Sequence, residues 1–97
     1  MAKTKAEQRA AKKKEARKLA RRALYERAER ADLGLVEALR LMRKVADKSQ
    51  IAYAQLTNVS PRVLIDLERG VGNPTLRTLT KLLAPFGLEV TVRRRRP

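Results

Sequence analysis

Ser49-Gln50-Ile51-Ala52-Tyr53-Ala54-Gln55-Leu56-Thr57-Asn58-Val59-Ser60-Pro61-Arg62-Val63-Leu64-Ile65-Asp66-Leu67-Glu68-Arg69-Gly70 is the stretch whose reading decides the fold. Ser49 is placed to cap a helix in which Ile51, Ala52, Ala54 and Leu56 are small or apolar, and small residues let a following helix approach closely. Thr57-Asn58-Val59 forms the turn, with Asn58 where the chain most needs a positive φ, a conformation Asn tolerates better than most residues. Ser60 followed by Pro61 at the first helical position starts the next helix, Leu64 and Leu67 face its core side, and Gly70 ends it. Two short helices about three residues apart have the spacing that lets the second lie across the major groove of DNA.

Beyond Val71-Gly72, Asn73-Pro74 repeats the pairing of cap and proline and predicts a further helix that buries Leu76, Leu79, Leu82 and Leu83 and stops at Pro85 and Gly87. Leu88-Glu89-Val90-Thr91-Val92-Arg93 then alternates apolar with polar and is rich in β-branched residues, a strand pattern. A lone strand is unstable, so its partner is expected from another copy of the chain or a different protein. The preferred arrangement is a two-stranded ribbon across a dimer axis, carried by Leu88, Val90 and Val92.

On the other side of the central stretch, a helix is expected over Leu33–Ala46, capped by Asp32, with Leu35, Leu39, Met42 and Val45 or Ala46 buried and a break or bend near residues 32–34. Thr4 to Ala31 consists almost wholly of strong helix formers without Gly or Pro. This basic helical extension, residues 1–32, precedes a DNA-binding domain at 33–87 and a C-terminal strand with an Arg-rich tail at 88–97. The fold class is all-α, a bundle of four to five helices with a long basic N-terminal helix and one short strand.

A chain of 97 residues with 43% apolar and three aromatic side chains supports one small domain, with no room for a buried active site. The net charge of +14, from 24 Lys and Arg against 10 Asp and Glu, attracts polyanions whatever the fold, nucleic acid first and an anionic membrane second. Residues 1–32 and 33–97 each hold 12 basic and 5 acidic side chains, so the domain itself is basic and not merely its extension. Without Cys or His, zinc sites, disulfides, thiol nucleophiles and imidazole bases are excluded. Asp66 and Glu68, two apart on one helix, diverge by about 200° and make no acid/base pair, so neither an enzyme nor a cofactor or metal is expected. Lys and Arg interrupt every apolar run, so neither a signal peptide nor a spanning helix is predicted, and a cytoplasmic, nucleoid-associated protein is the simplest expectation.

From residue 35 to about 88 the sequence resembles the lambda-repressor-like, or XRE, helix-turn-helix family. The resemblance rests on Leu39, Arg43, Ser49-Gln50, Ala54, Val59-Ser60, Leu64, Leu67-Glu68-Arg69-Gly70, Asn73-Pro74-Thr75-Leu76, Leu79 and Leu83. Asn73-Pro74-Thr75-Leu76 and Gly87-Leu88-Glu89-Val90-Thr91-Val92 look especially like antitoxins of the HipB and HigA kind, in which a dimer represses its own operon and binds its toxin. The sequence departs from the family pattern at Tyr53, Asn58, Lys48 and Ile65, and the segment before residue 33 is not part of the common domain.

The resemblance implies a DNA-backbone or adenine contact for Gln50, and a charge pair of Arg43 with Glu68 that holds the recognition helix. Ser60, Pro61 and Arg62 lie at the N-terminal end of that helix, where side chains and free N–H groups point toward the groove. Arg62 is a candidate for a bidentate contact to guanine or for a phosphate contact. Val63 and Asp66 share the outward face, where Asp66 accepts from cytosine N4 or pairs with Arg62 or Arg69; Ile65 meets a thymine methyl or packs between helices. Lys48, Ser49 and Arg69 join the expected DNA-binding set, with Arg77 and Lys81 as further phosphate clamps. Residues 1–32 are open to three readings: an arm on the DNA backbone, a helix docking in a toxin, or a solvated tail. Arg93-Arg94-Arg95-Arg96 reaches phosphates or remains a charged end.

The functional expectation is a sequence-specific repressor that binds a palindromic operator in double-stranded DNA as a homodimer and binds a cognate toxin. The competing expectations are a protein-interaction module built on the helix-turn-helix scaffold and a non-specific nucleic-acid or membrane-surface binder.

Overall fold

A computed structural model describes residues 2–95 and consists of α1 (Lys5–Glu29), α2 (Leu35–Ala46), α3 (Gln50–Thr57), α4 (Pro61–Glu68) and α5 (Leu76–Leu83), followed by a 3₁₀ turn at Ala84–Phe86. Arg96, last of the terminal arginines, lies outside the described residues, as does Pro97. One device closes every helix. Ala31, Asp47, Asn58, Gly70 and Gly87 all have φ between 50° and 78°. Each is followed by an N–H that reaches back to an orphan helical carbonyl: Asp32 to Arg27, Lys48 to Arg43, Val59 to Ala54, Val71 to Asp66 and Leu88 to Leu83.

That device explains where α2 begins. The Asp32 N–H completes the end of α1 through the Arg27 carbonyl, so two more residues are needed before the chain can turn into a new helix. Gly34, in extended conformation, is therefore the N-cap in place of Asp32, and the helix starts at Leu35 instead of Leu33. Ala38, Leu39, Met42 and Val45 are buried and Leu35 is half-buried.

At α5 the cap is Thr75, whose hydroxyl accepts from the Thr78 N–H at 3.1 Å, and not Asn73, which lies with Pro74 in the irregular chain before it. Leu82 and Leu83 are buried and Leu79 is half-buried, but Leu76 is 65% exposed because the first turn projects past the edge of the core. No strand forms among the described residues. Leu88 to Arg95 runs as irregular chain, since a strand needs a ladder partner and no other described segment forms one beside it.

Leu24 of α1, Leu39 and Met42 of α2, Tyr53 and Ala54 of α3, Leu64 and Leu67 of α4, and Leu82 and Leu83 of α5 form one core. α1 is thus tied into the bundle through Leu24 and Ala20. It runs antiparallel to α2: Arg27 pairs with Glu37 at one end, the Arg17 Nε donates to the Val45 carbonyl at 3.0 Å, and Lys13 Nζ meets Asp47 at 3.0 Å at the other. The turns of α1 before Lys13 extend past the end of α2, and every side chain from Ala2 to Glu15 is exposed.

Candidate nucleic-acid interface

α3 and α4 meet across the turn at Asn58, and their free edge carries the residues selected from the sequence. Ser49 spends its hydroxyl on capping α3, accepting from the Ala52 N–H at 3.1 Å. Gln50 beside it is half-buried in the first turn, and Lys48 is exposed. Ser60 starts α4 but makes no side-chain cap, so its exposed hydroxyl remains at the surface next to Pro61 and Arg62.

Arg62 points outward, with its side chain 77% exposed. Asp66 sits between two guanidinium groups, 3.3 Å from Arg62 Nε and 4.0 Å from Arg69 Nη1. The carboxylate is therefore neutralised locally instead of standing bare beside phosphates. Exposed pairs of this kind contribute about 0–1 kcal/mol, so giving up this partner costs Arg62 little. Val63 departs from the expected outward face. It is half-buried against the core, because in a helix of only two turns Val63, Leu64 and Leu67 share the inward side. Ile65 is half-buried, while Arg77 and Lys81 are exposed on α5.

α4 is held from behind by charge. Arg43 donates from Nε and Nη2 to the two carboxylate oxygens of Glu68, each at 2.7 Å, and Glu68 is 3% exposed. Arg40 Nη2 donates to the Glu68 carbonyl at 2.9 Å, and Arg43 Nη1 donates to the Lys48 carbonyl at 3.3 Å. Arg40 precedes Arg43 by one turn of α2, a spacing visible in the sequence, although its partner, a backbone carbonyl, leaves no trace there.

Tyr53, a departure from the family pattern, has a structural role. Its hydroxyl donates to the Leu82 carbonyl at 2.6 Å, satisfying one of the orphan acceptors at the end of α5, and burial pushes its pKa up to about 12. Lys13 and Arg17 of α1, neither singled out from the sequence, join Arg40, Arg43, Lys44 and Lys48 around a cleft of about 490 Å³ beside Ser49. Among the described residues no His, Cys, Asp and Glu cluster could hold a metal ion, and no helix is long and apolar enough to cross a membrane.

Residues 39–92, more than half of the chain, match the family model described as helix-turn-helix, with α3, the turn at Asn58 and α4 at its centre. The chain belongs to that family, in its lambda-repressor-like, XRE-type class. No curated protein and no solved structure matches it. The helix-turn-helix domain makes this protein a DNA-binding regulator with DNA as partner, and α4 is the second helix of its helix-turn-helix. α1 falls outside the matched residues.

Proposed function

We propose that the protein is a sequence-specific transcriptional repressor that binds a palindromic operator as a homodimer. One observation carries this reading: α4 is fixed at its far end through the buried Glu68, while its near end presents Ser60 and Arg62 to solvent. In this reading Arg62 is the base reader, Lys48, Gln50 and Arg69 bind backbone phosphates, and Pro61 sets the entry angle of α4. Val63 and Asp66 act indirectly, through packing and through holding Arg62 and Arg69 in place.

The dimer is proposed to form through Leu88, Val90 and Val92. Val90 is 46% and Val92 94% exposed, the alternation suits a strand, and the backbone there has no ladder among the described residues. A palindromic operator requires the two α4 helices of such a dimer about one DNA turn apart. The resemblance of this closing segment to HipB- and HigA-type antitoxins adds the reading that the dimer also binds a toxin. Co-expression with the product of the adjacent gene, followed by co-purification after nuclease treatment, tests that part.

The test of the central reading is selection of duplexes from a random pool, followed by binding of the winning site and a scrambled one. Arg62→Ala is expected to lose about 1–3 kcal/mol of discrimination while non-specific binding persists. A wild-type chain that binds both duplexes equally refutes it.

A further inference from the structure

The N-terminal half of α1 is a charged helix that the family match does not cover. Where α1 lies on α2, the stripe facing its neighbour is Leu24, Ala20 and the half-buried Ala16. Continued toward the N-terminus at steps of three or four, the same stripe becomes Lys13, Arg9 and Lys5. The change of chemistry falls where α2 ends, at the contact between Lys13 and Asp47. A face that is apolar against protein and basic beyond it is built for an anion and not for a further apolar helix.

Its position is fixed. Arg17, through the Val45 carbonyl, and Lys13, through Asp47, hold α1 against the corner between α2 and α3. There the basic cleft includes Lys44 and Lys48 and opens beside Ser49, the cap of α3. From Lys13 to Lys5 the helix advances about 12 Å, over which a DNA strand presents roughly three to four phosphates at about 3.4 Å of axis each. The cations at positions 5, 9 and 13 repeat about every 6 Å along the helix.

We propose that the free half of α1 is a second DNA-contacting element, which tracks the phosphate backbone flanking the half-site while the cleft beneath it takes phosphates next to α3. This rests on the assignment of α4 as the base reader, and the two are separable by experiment. The variant is Lys5→Gln with Arg9→Gln; both side chains are exposed, and the anchors Lys13 and Arg17 are kept. Circular dichroism and thermal melting should match wild type.

Affinity is measured against salt on the selected duplex, with long and with trimmed flanks, and on a scrambled duplex. Losing two phosphate contacts lowers the slope of log K against log salt by about 1.8, so a rise from about 50 to 200 mM salt costs wild type about 12-fold more affinity than the variant. On trimmed flanks that difference should disappear, and discrimination between selected and scrambled sites should be the same for both proteins. An unchanged slope on every duplex overturns the proposal, whatever protein α1 then proves to bind. Wild-type indifference to sequence with the slope difference intact overturns instead the reading of α4.

Discussion

Arg43→Ala is the substitution whose effect is set most directly by geometry. The Glu68 carboxylate is 3% exposed and receives two charged hydrogen bonds of 2.7 Å from Arg43. Among the described residues the only other cation paired with it is Arg40, at 3.9 Å, with a side chain 62% exposed. Removing one partner of a buried pair costs about 3–5 kcal/mol, because the remaining charge is left desolvated. Arg40 can turn inward and recover part of this, which puts the expected loss at the lower end, about 3 kcal/mol. For a chain of this size that lowers Tm by roughly 12–24 °C.

The opposite deletion is milder. Glu68→Gln leaves Arg43 with 23% of its side chain exposed and still bonded to the Lys48 carbonyl, so the expected cost is about 1–2 kcal/mol. Arg43→Met with Glu68→Leu removes both charges and should lie within about 1 kcal/mol of wild type. Urea titrations followed by far-UV circular dichroism measure all three. If Arg43→Ala costs no more than Glu68→Gln, or the double variant is worse than Arg43→Ala, the pair is not what secures α4.

Tyr53→Phe strands the Leu82 carbonyl and should cost about 1–3 kcal/mol in urea melts. Because the folded-state pKa of Tyr53 is raised from 10.0 to about 12, its contribution is fully present below pH 10 and lost as pH rises toward 12; that part of the alkaline decline should be absent in Tyr53→Phe. Ala31→Gly should raise Tm by a few degrees, since Ala31 holds φ 50° and a non-glycine residue in the left-handed region costs roughly 1–2 kcal/mol, partly offset by the greater freedom of unfolded glycine. Leu24→Ala should cost about 2–5 kcal/mol in a single cooperative transition, because Leu24 is fully buried in the common core; a separate early transition of α1 with the rest unchanged would count against that.

What the sequence made legible was local chemistry. Ser49 as cap, Asn58 as the left-handed turn, Ser60-Pro61 as the start of α4 and Gly70 and Gly87 as stops are each read from a residue whose backbone preference is strong, and each stands in the structure in that role. Ala31 and Asp47 take the same left-handed conformation without being residues that favour it strongly, so the ends of α1 and α2 were blurred and the start of α2 was misplaced by two residues. Asn73-Pro74 and Thr75 are all acceptable at a helix start, and only the hydroxyl of Thr75 comes within reach of an N–H. Leu24 enters the core because α1 folds back antiparallel on α2, held by Arg17 on the Val45 carbonyl and Lys13 on Asp47, contacts between helices that no single stretch of sequence spells out. The alternation of Leu88, Val90 and Val92 is real as a pattern, but a strand is a property of two segments and one sequence supplies only half of it.

Arg43 connects these separate features. Its guanidinium holds Glu68 at the end of α4, donates to the Lys48 carbonyl at the corner of α2 and α3, and lines the cleft that α1 overhangs. The end of α4 at Glu68, the corner before α3 and the cleft beneath α1 therefore all meet one side chain of α2. A bidentate contact to a base edge requires its donors held within a fraction of an ångström, and phosphate contacts on either side hold the register only if they move with the reader. The +14 charge supplies attraction at any geometry, so the sequence discrimination proposed for Arg62 depends on this framework and not on the amount of charge. Arg43→Ala should therefore reduce discrimination more than it reduces binding to a scrambled duplex, measured at a temperature where the variant remains folded.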